Sequence, residues 1–357
     1  PLIQYSTENG LSLNSVNDLH FDRQGFLWIT TADGLQRFDG YRFQTFKHDA
    51  QDKKSIAENS VSEIYEDADG NLWITHRTGI CFKPKGKNEF IDLSSAIVAS
   101  LPFRYPLFCV NETDTAVWVI NYPYGVFEVN KTSLHVKKLF PFPGTFHAST
   151  IYILSRVRSK GDKLWFREGQ EKSSDLYQVT GSGIKQFSNP EKIKVHFLIP
   201  CGKDSLVIVS DNRLYKALAK DPFTPVKVLR SPPDAGDLNT RYAVLPRKIA
   251  NDQYLLPGIH KIWLYDARKE TLTVFPHDEY FPGDMIRYFN TATADHHQNN
   301  WLGYNGIGGI KVISLQKFNG FSRPVKNALT YTLATDDRGK VFAGIYFGDI
   351  EVYDKEG

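Results

Sequence analysis

The sequence predicts an all-β chain folded as a β-propeller of four-stranded antiparallel blades, and three observations lead to this fold class. One motif recurs along the 357 residues. Its period of about 45 residues is the length of one propeller blade. Each copy divides into short apolar runs separated by Asp and Gly turns, which is typical of antiparallel hairpins. Aromatic residues make up 13% of the chain, and aromatic side chains favour strands.

The first two copies of the motif align residue for residue. Landmark positions of the first copy return in the second with a constant offset of 45 residues, as the pairs Val16 and Val61, Asp22 and Asp67, Trp28 and Trp73, and Gly34 and Gly79 show. The later copies are centred on Trp118, Trp165, Ser205, Tyr254, Trp301 and Phe342. A fixed period of this length indicates that one supersecondary unit is repeated.

Four strands are expected in the first copy, at residues 16–22, 26–31, 35–38 and 41–46. They are joined by turns at Asp22–Gly25, Asp33–Gly34 and Asp39–Gly40. Asp accepts hydrogen bonds from the backbone that follows it, and Gly tolerates the positive φ of a tight turn. Each of five second strands carries a large aromatic side chain that should fill the space between stacked blades. These residues are Trp28, Trp73, Trp118, Trp165 and Trp301.

The two ends of the chain predict how the ring closes. Residues 1–5 resemble an outer strand with no inner strands before it, so we expect them to join a late blade and close the ring. Seven blades would use residues 1–320, and residues 321–357 would begin a following propeller that stops after its third strand. A ring of eight blades is the alternative, and both counts fit the sequence.

Composition excludes several classes of function. The 43 basic and 40 acidic residues nearly balance and form no basic stripe, so this segment is not expected to bind nucleic acid. Three cysteines, Cys81, Cys109 and Cys201, are too few and too far apart to predict a disulfide framework or a zinc cluster. The chain starts at Pro1 without an initiator Met, and we expect a processed or trimmed segment.

Residues 22–35 and 67–80 share the pattern Asp-x-x-Gly-x-Leu-Trp-Ile-Thr-x-x-x-Gly-Leu/Ile. This pattern resembles the two-component regulator propeller repeat, and residues 8–16, Glu-Asn-Gly-Leu-Ser-Leu-Asn-Ser-Val, resemble the first blade of that family's sensor region. The match is close in repeats one, two, seven and eight and degenerate in repeats three to six. Repeat seven, for example, has Gln298 where the turn glycine is expected.

The resemblance implies the periplasmic sensor part of an inner-membrane protein that is a hybrid histidine kinase and response regulator. It implies a second propeller in the same chain and a homodimer of the full-length protein. It also implies oligosaccharides from polysaccharide breakdown as ligands, and control of glycan-utilisation genes. The transmitter parts of such a protein, including the kinase, would lie outside these residues.

No residue pattern predicts chemistry within this segment. Carboxylates recur at the repeat turns because Asp accepts hydrogen bonds from the turn backbone. These residues are Asp22, Asp67, Asp295 and Asp336. A glycosidase instead needs two carboxylates that converge on one pocket. His296 and His297 are adjacent in a turn and would point in opposite directions on extended backbone. We therefore predict no catalytic residue, metal or cofactor. A stand-alone propeller lyase or hydrolase of polysaccharides, and a protein-interaction scaffold, are the alternatives.

The loops are the expected binding surface. In a propeller, the turns between second and third strands share one face with the linkers between blades. Aromatic rings stack on the apolar side of sugars, while Arg and Asn satisfy hydroxyl groups or an acidic sugar's carboxylate. The candidate ligand contacts on these turns are Arg77, Tyr122, Tyr124, Arg167, Asn212, Tyr304, Asn305 and Tyr346.

Overall fold

The computed structural model describes the chain in two compact units, Pro1–Leu315 and Gln316–Gly357. The residues it describes are 2–76, 79–98, 107–121, 124–142, 151–155, 164–168, 174–201, 204–210, 213–229, 245–249, 252–257, 261–275, 289–306, 308–314, 330–335, 341–345 and 350–353. None of the helices in these residues combines the length and the hydropathy that a membrane-spanning helix needs.

The first unit is a ring of seven four-stranded antiparallel sheets, so the prediction of a seven-bladed propeller is confirmed. The chain begins with β1 (Leu2–Tyr5) and a 3₁₀ turn (Thr7–Asn9). Blade 1 contains β2 (Val16–Phe21), β3 (Leu27–Thr31), β4 (Gly34–Phe38) and β5 (Phe43–Phe46). Blade 2 contains β6 (Val61–Glu66), β7 (Leu72–His76), β8 (Gly79–Lys83) and β9 (Ile91–Asp92), followed by the short helix α1 (Ser94–Val98). Blade 3 contains β10 (Leu107–Glu112), β11 (Ala116–Asn121), β12 (Gly125–Asn130) and β13 (Val136–Phe140).

The remaining blades repeat this order of strands. Blade 4 contains β14 (Ile151–Ser155), β15 (Trp165–Glu168), β16 (Leu176–Thr180) and β17 (Gly183–Phe187). Blade 5 contains β18 (Val195–Pro200), β19 (Ser205–Ser210), β20 (Arg213–Leu218) and β21 (Asp221–Leu229). Blade 6 contains β22 (Arg247–Lys248), β23 (Gln253–Pro257), β24 (Ile262–Asp266) and β25 (Thr271–Val274). Blade 7 contains β26 (Phe289–Ala294), β27 (Asn299–Tyr304) and β28 (Ile310–Ser314), with β1 as its fourth strand.

Blade 7 is completed by the start of the chain. β1 pairs antiparallel with β28, with Leu2 opposite Ile313 and Tyr5 opposite Ile310. The inner strand β2 of blade 1 contacts both β6 of blade 2 and β26 of blade 7. The first strands of the blades therefore line the axis of the ring, and the first and last blades meet.

The second unit is described by itself as one three-stranded sheet. Its strands are β29 (Thr330–Thr335), β30 (Val341–Ile345) and β31 (Ile350–Tyr353), paired in that order. The eighth sequence copy thus forms a sheet of its own and is not an eighth blade of the first unit.

The repeated tryptophans are packing residues, as predicted. Trp28 and Trp73 are 1% and 0% exposed, and each fills the space between its own blade and the next. Their indole N–H groups have a recurring partner, because Asp22 Oδ2 accepts from Trp28 Nε1 at 2.7 Å and Asp67 Oδ2 accepts from Trp73 Nε1 at 2.9 Å.

The same Asp closes the turn before the tryptophan strand. Asp22 Oδ1 accepts from the backbone N–H of Gln24 and Phe26, at 3.0 and 2.9 Å. Blade 7 repeats the arrangement, with Asp295 Oδ2 accepting from Trp301 Nε1 at 3.0 Å. We call this unit, one Asp that holds a turn and an indole, the Asp–Trp clamp. It explains why the two residue types recur six positions apart.

Candidate functional site: the loop face of the propeller

One end of the ring carries the turns between second and third strands. In blade 1 this turn contains Asp33, and the linker that ends at Ser15 lies at the same end, because Val16 at the start of β2 pairs with Thr31 at the end of β3. The same pairing recurs in blades 2 and 7. We call this end of the first unit the loop face.

A glycine on the loop face keeps the fourth strand close to the third. Gly34 has φ +114°, and a Cβ there would lie 2.8 Å from the carbonyl oxygen of Phe46, the last residue of β5. Gly309 has φ +63°, and its Cβ would lie 2.2 Å from the carbonyl oxygen of Tyr5, the last residue of β1. At both positions a side chain would strain the backbone, because φ is positive, and its Cβ would clash with the carbonyl oxygen of the neighbouring strand. The glycine of the repeat is therefore a packing requirement of the blade.

Tyr304, one of the predicted ligand contacts, lies in the core between blades 6 and 7. It is 0% exposed, and its ring packs edge-on against Phe289 with the centroids 6.2 Å apart. Burial raises the pKa of the Tyr304 hydroxyl. Lys311 Nζ lies 5.4 Å from the ring centroid, within the range of a cation–π contact. The ring is thus directed into the protein and away from the solvent of the loop face.

Arg167 lies in strand β15, opposite Tyr152 of the inner strand β14. Its guanidinium carbon lies 4.6 Å from the Tyr152 ring centroid, and the residue is 6% exposed. Burial lowers the pKa of this guanidinium. The structure therefore places Arg167 inside blade 4 near the ring axis, stacked on an aromatic face.

Tyr124 and Asn305 lie at the surface of the loop face. Tyr124 is half-buried in its turn, where its N–H donates to the carbonyl of Asn121 at 2.8 Å. Asn305 is exposed, and its Oδ1 accepts from Ser15 Oγ at 3.3 Å, which joins blade 7 to the linker before blade 1. The other predicted contacts lie outside the described residues: Arg77, Tyr122, Asn212 and Tyr346.

Blade 1 adds an exposed ion pair to this surface. Lys47 Nζ lies 2.8 and 2.9 Å from the two carboxylate oxygens of Asp33, and both side chains are about half exposed, at 50% and 43%. The backbone carbonyl of Asn59, in the linker to blade 2, accepts from the backbone N–H of Gly34 at 2.7 Å. The turn and the linker are thus tied together, and the side chains of Asp33 and Lys47 face solvent, where they can exchange partners with a polar ligand.

Below this surface, blade 2 holds a compact polar cluster. His76 Nδ1 lies 3.5 Å from Glu58 Oε2, and His76 Nε2 lies 3.3 Å from Ser94 Oγ. Ser94 also donates to Asp92 Oδ1. Ligating atoms of His76, Cys81 and Asp92 all lie within 4.8 Å of one another. Burial raises the pKa of the Cys81 thiol to about 12.

A second buried polar network joins the blades that meet at the ring closure. Asp18 in β2 is 0% exposed. Its carboxylate accepts from Thr291 Oγ1 of blade 7 at 3.1 Å and from the N–H of Ile64 of blade 2 at 3.3 Å. Arg247 of blade 6 lies 3.9 Å from the same carboxylate and donates to the carbonyl of Asn290 at 3.1 Å. Hydrogen bonds near the axis therefore link four neighbouring blades.

At the opposite end of the ring, a Glu at the end of an inner strand reaches back to the preceding blade. Glu66 Oε2 lies 3.2 Å from His20 Nε2, and Glu66 Oε1 accepts from the Arg23 N–H at 3.3 Å. Burial opposes ionisation of Glu66, but these hydrogen bonds outweigh it and hold the pKa of the carboxyl below its ordinary value. We call such a contact a carboxylate hook.

Blade 3 repeats the carboxylate hook one blade further round. Glu112 accepts from the Tyr65 hydroxyl and from the Ala68 N–H of blade 2, and it pairs with Lys131. The two charged side chains are 0% and 5% exposed. Burial again opposes ionisation, and the hydrogen bonds from Lys131, Tyr65 and Ala68 again hold the pKa of the carboxyl below its ordinary value.

Sequence reasoning missed these polar networks. Asp18, Glu112 and His76 stand outside the Asp–Gly turns of the motif, and each contacts partners 18 to 273 positions away. A polar residue in an otherwise apolar first or second strand of a blade is the signal that would have pointed to them.

The comparisons with known proteins agree with the repeat analysis. Residues 10–33 and 55–78 match the family model of the two-component regulator propeller, which confirms the resemblance for these repeats. A stretch of 49 residues, 14% of this chain, is 43% identical to Histidine kinase P4 of Formosa agariphila and covers 4% of that protein.

Solved structures share the fold. The extracellular domain of the proposed hybrid two-component system BT3049 from B. thetaiotaomicron matches over 99% of this chain and 48% of its own length, with a TM-score of 0.61 and 18% identity. Virginiamycin B lyase from Staphylococcus aureus matches over 87% of this chain and 97% of its own length, with a TM-score of 0.58 and 14% identity. The chain spans about half the length of the BT3049 domain. At these identities the likeness concerns the fold alone.

Proposed function

We propose that this chain is the extracytoplasmic ligand-sensing part of a hybrid two-component protein, a sensor histidine kinase joined to a response regulator. The observation that carries the proposal is the match of two consecutive repeats to the two-component regulator propeller. The closed seven-bladed ring supports it, because such a ring offers a rigid face of variable loops.

The ligands that we propose are oligosaccharides released from polysaccharides, and the output is control of glycan-utilisation genes. Sugar recognition needs paired hydrogen-bond donors and acceptors beside an aromatic or apolar patch. The loop face provides the Asp33–Lys47 pair and the exposed amide of Asn305 in the adjacent blades 1 and 7, and Tyr124 in the corresponding turn of blade 3.

Signalling requires that the ligand distinguish two states of the receptor. In the proposed mechanism, an oligosaccharide binds one arrangement of the propellers, or of a homodimer, more tightly than the other. The population shift then biases the kinase, and a ligand with equal affinity for both states would transmit nothing.

The test is a calorimetric screen of oligosaccharides against the complete extracytoplasmic region. We expect heat of binding with at least one glycan fragment and no change in the fragment's length. Absence of binding to every fragment, together with turnover of one of them, would overturn the sensor proposal in favour of a propeller enzyme.

Two variants locate the bound sugar. Asp33→Ala and Asn305→Ala remove loop-face groups and should weaken binding by about tenfold each, the value of one good hydrogen bond to a charged or amide partner. Gln24→Ala is the matched control, because Gln24 is an exposed residue of a turn at the opposite end of blade 1. Equal losses in all three variants would contradict the assignment of the loop face.

A further inference from the structure

Three residues of blade 2 are brought to one face of the sheet by three different strands. Cys81 of β8 stands directly opposite Asp92 of β9. Cys81 is also opposite Ile74 of β7, and His76 follows Ile74 by two residues, so its side chain leaves the same face. Imidazole, thiol and carboxylate are thereby gathered by the sheet register.

The ligating atoms of these side chains are close enough to share one ion. All lie within 4.8 Å of one another. In a tetrahedral site with ligands about 2.0 to 2.3 Å from the metal, ligating atoms are about 3.5 Å apart, so small side-chain rotations complete the site. Within the described parts of the chain, this is the one group of three such residues at this spacing.

The surroundings of His76 favour coordination through one particular nitrogen. Glu58 Oε2 lies 3.5 Å from Nδ1, and the imidazole is 1% exposed. A carboxylate on one ring nitrogen fixes the tautomer and orientation of a metal-binding imidazole and raises its basicity. Nε2 is then the nitrogen left for a metal, and it lies 3.3 Å from Ser94 Oγ, which hydrogen-bonds Asp92.

We propose that His76, Cys81 and Asp92 form a binding site for a divalent transition metal of the zinc type. A thiolate with an imidazole suits Zn²⁺ or Co²⁺ and not the hard ions Ca²⁺ and Mg²⁺. On binding, the Cys81 S–H bond breaks, its proton passes to solvent and the sulfur pair forms the metal–sulfur bond. Three protein ligands leave the fourth position to water or to the neighbouring Ser94 hydroxyl.

The site would add a tie at the outer edge of blade 2, where Phe90 and Leu93 already pack into the core. β9 consists of the two residues Ile91–Asp92, and Glu58 belongs to the linker from blade 1. An ion shared by β7, β8 and β9 holds this short outer strand and the start of α1 on the blade, just below the loop face. The inference does not depend on the proposed sensing of sugars.

The experiment is a Co²⁺ titration of the full 357-residue chain, followed by optical absorption. We expect the near-ultraviolet charge-transfer band of a cobalt–thiolate bond, and its loss on addition of Zn²⁺. Cys81→Ser should abolish the band, whereas Cys109→Ser, the matched control at another buried thiol, should leave it intact. Absence of the band in the unaltered chain, or its persistence in Cys81→Ser, would overturn the proposal.

Asp92→Asn provides a variant that does not disturb the core, because Asp92 is exposed. It should keep the cobalt–thiolate band but weaken Co²⁺ binding by about tenfold or more, since a neutral amide is a poorer ligand than a carboxylate. Zn²⁺ should raise the melting temperature of the unaltered chain by more than that of Asp92→Asn. Equal affinity and equal thermal shifts would exclude Asp92 as a ligand and refute the three-residue site.

Discussion

Blades 1 and 2 and blades 5 and 6 have the same four strands in the same order, but different interactions hold them. In blades 1 and 2 the turn before the second strand begins with Asp22 or Asp67, and each closes an Asp–Trp clamp. In blades 5 and 6 the same turn position is held by Cys201 and Ile249. Their N–H groups close the turn onto Ser205 and Gln253, as those of Asp22 and Asp67 do in their own blades, but neither side chain supplies a carboxylate.

Apolar packing replaces the clamp in blade 5. Strand β19 buries Leu206, Val207, Ile208 and Val209 at 2% exposure or less, and these side chains pack on both neighbouring sheets. The backbone of a blade therefore needs only closed turns and filled space between sheets. A polar clamp with an indole and a run of aliphatic residues are two ways to meet that need.

The largest difference between the two regions should come from the carboxylate hook by which Glu112 of blade 3 holds blade 2. Glu112→Ala removes the buried acceptor of the Tyr65 hydroxyl and leaves Lys131 with Asp69, whose side chain is 60% exposed. We expect a loss of about 3–5 kcal/mol in the free energy of unfolding. Urea unfolding followed by Trp fluorescence measures it. Glu270→Ala in blade 6 is the control: Glu270 pairs with Lys216 and Lys227 at the surface, so little change is expected, and equal losses would refute the contrast.

Ring closure offers the next largest effect. Gly309→Ala combines a positive φ with a Cβ placed 2.2 Å from the Tyr5 carbonyl oxygen, and we expect a loss of about 3 kcal/mol. Gly25→Ala separates the two causes, because Gly25 has φ +88° but no atom within 4 Å of the added Cβ. That control should cost about 1–2 kcal/mol. Equal effects would show that the close approach of β1 contributes nothing.

The Asp–Trp clamp should contribute somewhat less. Asp67→Ala removes the acceptor of the Trp73 indole, which is 0% exposed, and the cap of the turn. Leaving a buried donor unpaired costs about 1–3 kcal/mol. Asp204→Ala alters the corresponding turn of blade 5 at an exposed residue and should be nearly neutral. A neutral Asp67→Ala would mean that indole packing alone holds blade 2.

The pH dependence should be the smallest effect. The pKa values of Glu66 and Glu112 lie below the ordinary value of 4.5. Their contribution to stability is therefore fully present above that value and is lost as the pH falls through the folded-state values. The double variant Glu66→Gln with Glu112→Gln should lose less stability than the unaltered chain between neutral pH and about pH 3. Urea midpoints at each pH measure this, and parallel curves would contradict it.

The sequence was sufficient to predict the propeller but not its polar interior. Strand periodicity, turn glycines and tryptophans are local signals, so the four strands of blade 1 and the joining of residues 1–5 to a late blade could be read directly. Tyr304 looked like a loop residue because it precedes a glycine turn, yet its side chain faces the core. His76, Cys81 and Asp92 are separated in the sequence and meet only through strand register, which spacing alone does not reveal.

The pairing of β1 with β28 determines when the ring can close during synthesis of the chain. Strand β1 leaves the ribosome, or emerges from an export channel, well before its partner, and it stays unpaired until residues 310–314 follow it. Until then six sheets form an open arc with exposed edges, which is the condition in which chaperones bind and neighbouring chains exchange strands. A nascent chain halted before Ile310 should therefore stay a chaperone client, and one extended past Ser314 should be released.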